Sequence, residues 1–130
     1  MNRFEQFFLD KSNKAFVPYF TLGDPNFKQN LKLISSAVEA GADALELGVP
    51  FSDPIADGPT HQRSMTRALK LGADFFSCIK QIENIRKLYP HIPISLLMYY
   101  NILFRIGEKS YQALSRAGVD AIVCVDLPLE

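Results

Sequence analysis

Four short apolar runs, Ala15–Phe20, Asp43–Leu47, Ile92–Met98 and Ala121–Val125, alternate with helical periodicities along this 130-residue chain. Each run has strand length and is bounded by turn-forming residues. After the first run, Leu31, Ile34 and Val38 fall at i, i+3 and i+7, and Gly41 supplies a stop. Phe75, Ile79, Ile82, Ile85 and Leu88 repeat every three or four residues, with Asp74 placed as an N-cap and Pro90 beyond the end. Further helices are read over Thr60–Leu71, ended by Gly72, and around Lys109–Arg116, ended by Gly118. Phe4, Phe7 and Phe8 give a leading helix a small apolar face. Strands and helices alternating at these lengths make βαβ units, so the fold class is α/β with a parallel sheet. A (β/α)8 barrel and an open doubly wound sheet both satisfy the pattern.

The chain also repeats itself. Glu39-Ala40-Gly41-Ala42-Asp43-Ala44-Leu45 is echoed by Arg116-Ala117-Gly118-Val119-Asp120-Ala121-Ile122. Both read as a helix ending on a glycine, a one-residue link, an aspartate and a buried strand. The glycine supplies the left-handed turn that closes the helix.

Composition narrows the function classes. With 48% apolar residues the chain builds one core, and 14 Lys and Arg balance 14 Asp and Glu. A net charge of zero lacks the basic face that nucleic acid requires. The longest apolar stretch, Ile92–Phe104, is interrupted by Pro93, Ser95 and Asn101 and does not read as a membrane span. Met1-Asn2-Arg3 opens no secretory signal, so a soluble, cytoplasmic protein is expected. Cys78 and Cys124 sit in no metal-ligating spacing and are expected to be buried free thiols. His61 and His91 stand thirty positions apart with no HxxxH pairing, and no metal site is expected.

Chemistry concentrates between Leu45 and Pro59. Strand alternation puts Leu45 and Leu47 on one side and Ala44, Glu46 and Gly48 on the other. A carboxylate facing the inside of a parallel sheet is costly unless paired, and desolvation tunes such a group for general acid–base work. Glu46 is therefore either a catalytic carboxylate or an edge or ion-paired glutamate. From Val49 to Pro59, three prolines and Gly58 exclude both helix and strand. A long loop leaving the C-terminal end of a strand is where both α/β architectures place their sites. It offers Asp53 and Asp57, each also readable as an Asx turn or a helix cap.

The run Leu45-Glu46-Leu47-Gly48-Val49-Pro50-Phe51-Ser52-Asp53-Pro54-Ile55-Ala56-Asp57-Gly58 resembles the signature of the tryptophan synthase alpha subunit family. The resemblance extends over nearly the whole chain, through Phe16–Pro25, Glu39–Asp43, Leu96–Tyr99 with Asn101, and Gly118–Asp120. It implies a (β/α)8 TIM barrel that cleaves indole-3-glycerol phosphate to indole and glyceraldehyde 3-phosphate by a retro-aldol reaction, with no cofactor and no metal. It makes Glu46 and Asp57 the catalytic carboxylates, with Glu46 moving protons and Asp57 accepting from the indole N–H. Tyr19 and Tyr99 match positions lining the indole pocket; Tyr19 stands where phenylalanine is frequent. Asp53, Asn101 and Pro128 match positions turned toward the beta subunit, the partner in an alpha2-beta2 heterotetramer.

The length departs from that family. Residues 1–130 supply about four βα units, the N-terminal half of a single barrel domain, whereas a closed barrel needs about 250 residues. Such barrels bind phosphate at the loops after strands 7 and 8, which the resemblance places outside these residues. The chain alone is expected to be inactive and to expose two sheet edges. A second reading is a non-catalytic half-barrel that binds the beta subunit.

Overall fold

Strands β1 (Tyr19–Thr21), β2 (Leu45–Gly48), β3 (Ile94–Met98) and β4 (Ala121–Cys124) lie in the order of the chain in one parallel sheet. The computed structural model describes residues 1–10 and 14–129. Six helices accompany the strands: α1 (Arg3–Asp10), α2 (Phe27–Glu39), α3 (Pro59–Lys70), α4 (Phe75–Leu88), α5 (Tyr100–Ile106) and α6 (Glu108–Ala117). A doubly wound sheet reverses its strand order at a switch point, and this one does not. Right-handed crossovers between successive neighbours carry the connecting helices to the same face. This is the arrangement of a barrel wall, which separates the two architectures that periodicity leaves open.

The register divides the side chains. Leu45 pairs with Ile94 and Leu47 with Leu96, and these four are fully buried against Ile34 of α2, Ile82 and Ile85 of α4, and Leu114 of α6. On the other face Tyr19 pairs with Glu46, Glu46 with Ser95, and Ser95 with Ala121. One face is thus a hydrophobic core, and the other carries the polar residues of the sheet.

The echoed segments have one physical explanation. Gly41 and Gly118 take positive φ of 103° and 83°, and the next amide, of Ala42 or Val119, bonds five residues back to Ala37 or Leu114. A side chain would strain that turn. Asp43 then exchanges bonds with Phe16, its N–H donating to the Phe16 carbonyl (2.9 Å) and its Oδ2 accepting from the Phe16 N–H (2.7 Å). Asp120 does the same with Ile94, at 2.9 Å in both directions. Each aspartate clips its own strand to the start of the preceding one. Asp120 also gathers Arg3 (2.8 Å) and Arg86 (2.9 Å), which docks α1 at this end of the sheet.

Several expectations need correction. The first strand is not Ala15–Phe20: Pro18 has no N–H to give, and regular pairing begins only at Tyr19. The run Ile92–Met98 pairs as β3 only from Ile94, and α5, for which the sequence gives no helix, begins at Tyr100 soon after its end. No side chain caps α5 at Tyr99, so no polar start signal marks it in the sequence. Cys78 is buried, but Cys124 is only partly so, because it lies on the last strand of the sheet. Among the described residues no helix is long and apolar enough to cross a membrane.

Candidate active site

The polar groups of the C-terminal rim are assembled by the ends of three strands. The loop after β2, residues 49–58, is tethered from β3. Tyr99, the residue that follows β3, sends its hydroxyl under the loop, where it accepts from the Ala56 N–H (3.0 Å) and donates to Asp57 Oδ2 (2.6 Å). Its ring stacks on Phe51 with centroids 5.0 Å apart. Tyr99 is 1% exposed, and burial together with the bond to Asp57 pushes its pKa up to about 12, so it remains a donor at neutral pH. The loop carboxylate is therefore placed by a hydroxyl that one strand holds rigid.

Asp57 is fixed at further points. Its N–H donates to the Pro54 carbonyl (3.0 Å) and its carbonyl accepts from Gln62 Nε2 (2.9 Å). Its Oδ1 lies 3.2 Å from Nδ1 of His61, four residues on, in the first turn of α3. Gly58 caps that helix and Pro59 opens it at N1, where a missing N–H is harmless. The Asp57 side chain is 9% exposed, so its carboxylate is specified by partners rather than by solvent.

Glu46 stands on the polar face of β2, half-buried; its main chain is bonded in the sheet, and its carboxylate makes no hydrogen bond or ion pair with another described residue. Its neighbours in register are Tyr19 and Ser95. The Tyr19 hydroxyl bonds Thr21 Oγ1 (3.2 Å), which in turn bonds Ser64 of α3 (2.7 Å). Burial raises the Tyr19 pKa against the bond to Thr21, and the charges of Asp57 and Glu46 add to the rise. Tyr19 thus lies within electrostatic reach of both carboxylates. A Cβ at position 48 would collide with the Tyr19 hydroxyl, so the glycine there is what admits the ring.

The remaining expected residues separate from this group. Asp53 is exposed and bonded to the Ser52 hydroxyl (2.6 Å), and Asn101 and Pro128 are exposed. Ser52 and Asn101 border one groove of about 420 Å³, between the β2 loop and α5. The structure therefore brings Glu46, Asp57, Tyr19 and Tyr99 together and leaves Asp53, Asn101 and Pro128 on the surface. Sequence reasoning overlooked His61, Thr21 and Ser64. The four-residue spacing from Asp57 to His61 was the available signal for the first. The Thr21–Ser64 bond spans 43 residues and has no local signature.

The fold and this rim define a class: parallel α/β barrel proteins that present carboxylates at the C-terminal ends of their strands. The sequence model of the family described as tryptophan synthase alpha chain matches residues 6–130. The chain belongs to that family. A relative of that name from Escherichia coli (strain SMS-3-5 / SECEC) is 47% identical over 134 residues, which take in 100% of this chain and 50% of the relative. The crystal structure of tryptophan synthase subunit alpha from Legionella pneumophila str. Paris superposes with a TM-score of 0.93 at 36% identity, over 98% of this chain and 50% of that one. A chain from a structure of the tryptophan synthase a2b2 complex of Pyrococcus furiosus gives 0.81 at 41% identity, over 88% and 46%. The chain spans about half the length of the relatives it matches.

Proposed function

We propose that this chain supplies the carboxylate-bearing half of a retro-aldol lyase that cleaves indole-3-glycerol phosphate to indole and glyceraldehyde 3-phosphate. The observation that carries the reading is the pairing of two differently held carboxylates on one rim: that of Glu46, on the strand, unpaired among the described residues, and that of Asp57, on the loop, oriented by Tyr99 and His61. The reaction needs both. Cleavage of the bond to indole C3 requires a proton delivered to C3 and a proton removed from the hydroxyl that becomes the aldehyde. Glu46 performs these transfers. Protonation at C3 leaves the ring as an indolenine cation, and Asp57, accepting from the ring N–H, stabilises charge that develops only along the reaction path. Tyr19 flanks the ring, and Tyr99, buried beneath the loop, acts on it through Asp57.

The phosphate is held by the half of the barrel that these residues do not supply. The rim also meets a partner. Asp53, Asn101 and Pro128 form part of the contact with a beta subunit, in keeping with the a2b2 assembly named for the Pyrococcus relative. A cytoplasmic setting belongs to the same reading.

The test is turnover by a complete barrel, made by joining this segment to the second half of a relative's alpha chain. Indole release from indole-3-glycerol phosphate is expected, and Glu46→Gln is expected to lower kcat at least ~100-fold, the scale of a lost general acid–base, with substrate binding retained. Unchanged kcat in Glu46→Gln removes Glu46 from its role.

A further inference from the structure

Asp57 is gripped from two sides, and the second grip points to an additional working residue. Tyr99 occupies Oδ2 from within the fold. His61 faces Oδ1 from α3, and its ring stacks on Tyr19, with centroids 4.4 Å apart and planes 20° from parallel. Tyr19 is the register partner of Glu46. One connected line therefore runs from Tyr99 through Asp57, His61 and Tyr19 to Glu46. An ionised carboxylate only accepts, so the contact requires the His61 proton on Nδ1.

We infer that His61 is a positioning residue for Asp57: its Nδ1–H fixes the carboxylate plane, and its stacking on Tyr19 sets that plane relative to Glu46. Resting on the retro-aldol reading above, this explains a geometric need. Each carboxylate oxygen accepts two hydrogen bonds, and Tyr99 and His61 take one position on each. One position per oxygen is left for a ring N–H. With Tyr99 alone, the carboxylate rotates about a single anchor, and the free positions lose their aim. The His61 side chain is 45% exposed, while Asp57 is 9% exposed. His61 thus stands between the buried carboxylate and the open side of the rim, where an incoming ring would lie.

Two substitutions separate the hydrogen bond from the stack. His61→Phe keeps an aromatic ring on Tyr19 and removes the donor. His61→Asn keeps a donor where Nδ1 stood and removes the ring. In the complete barrel, His61→Phe is expected to lower kcat ~10- to 100-fold, the effect of losing a hydrogen bond to a charged group, with KM changed less than threefold. His61→Asn is expected to recover most of that loss. If Phe retains wild-type kcat while Asn does not, the side chain only packs, and the proposal is overturned. A measurement without turnover stands beside this: 15N shifts of the wild-type imidazole are expected to show the proton on Nδ1, and a neutral ring protonated on Nε2 overturns the proposal even if the Phe variant fails to fold. An unsubstituted barrel that binds substrate but releases no indole would instead defeat the retro-aldol reading, while the imidazole measurement would still decide the role of His61.

Discussion

The Tyr99 hydroxyl both accepts from a loop amide and donates to a loop carboxylate, so one buried oxygen determines where Asp57 sits. Tyr99→Phe removes both bonds and leaves the Ala56 N–H and one Asp57 oxygen to find other partners. A loss of stability of about 1–3 kcal/mol follows from a buried polar group left unsatisfied, read from urea unfolding midpoints. Turnover in the complete barrel should fall with it; a variant equal to wild type in both measurements would show that the loop holds Asp57 without help. At this scale the sequence was uneven. Glu46 and Asp57 stood out because carboxylates on a strand and on a proline-rich loop are unusual. His61 did not, since its one local signal, the four-residue spacing from Asp57, is too generic to single it out, and its stacking on Tyr19 reaches across 42 residues. Tyr99 was expected beside a ligand, while its bond to Asp57 depends on how the loop folds back.

At the scale of elements, junctions matter more than interiors. Asp74 caps α4 through a reciprocal bond pair with Ser77, as its position before the apolar repeat predicts, and this holds its carboxyl below the usual range. The junction before β4 carries more. The Asp120 side chain is 4% exposed and receives Arg3, Arg86 and the Ile94 amide. Asp120→Ala leaves Arg86, itself largely buried, with carbonyl partners and no counter-charge. A loss of about 3–5 kcal/mol is expected for breaking a buried pair on one side, again from urea midpoints; a loss under 1 kcal/mol would mean that the carbonyls alone satisfy the guanidinium. The α4 periodicity and the glycine stops were legible because they are local. The start of β1 was misplaced because Pro18 interrupts pairing, and α5 escaped because it follows β3 directly and lacks a polar cap.

For the molecule as a whole, alkaline pH acts on its core. Cys78 lies buried beneath the sheet, and burial raises its thiol from 9.0 to about 12. The folded chain then keeps a proton that the unfolded chain releases. Stability from this group is unaffected well below pH 9 and falls by about 1.4 kcal/mol per pH unit between about 9 and 12. Tyr99 adds to the fall between 10.0 and about 12. Cys78→Ala should flatten the alkaline limb of stability against pH by the first amount; parallel limbs in the two proteins would assign it elsewhere. Alternation of strands and helices was enough to read a parallel α/β fold; the barrel followed from the family resemblance rather than from periodicity, and the unreversed strand order bears it out.

The clips made by Asp43 and Asp120 join β1's approach to β2, and β3 to β4. Across the seam between β2 and β3 the strands themselves are joined by the main-chain ladder and the Ser95 hydroxyl on the Leu45 carbonyl (3.3 Å), and the Tyr99 hydroxyl ties only the loop beyond β2. The wall is thus built from two-strand modules, each fastened internally by an aspartate at the same place in the repeat. A new pair of chain ends placed in the β2–β3 connection would leave both fasteners whole, whereas ends placed within either module would separate an aspartate from its amide.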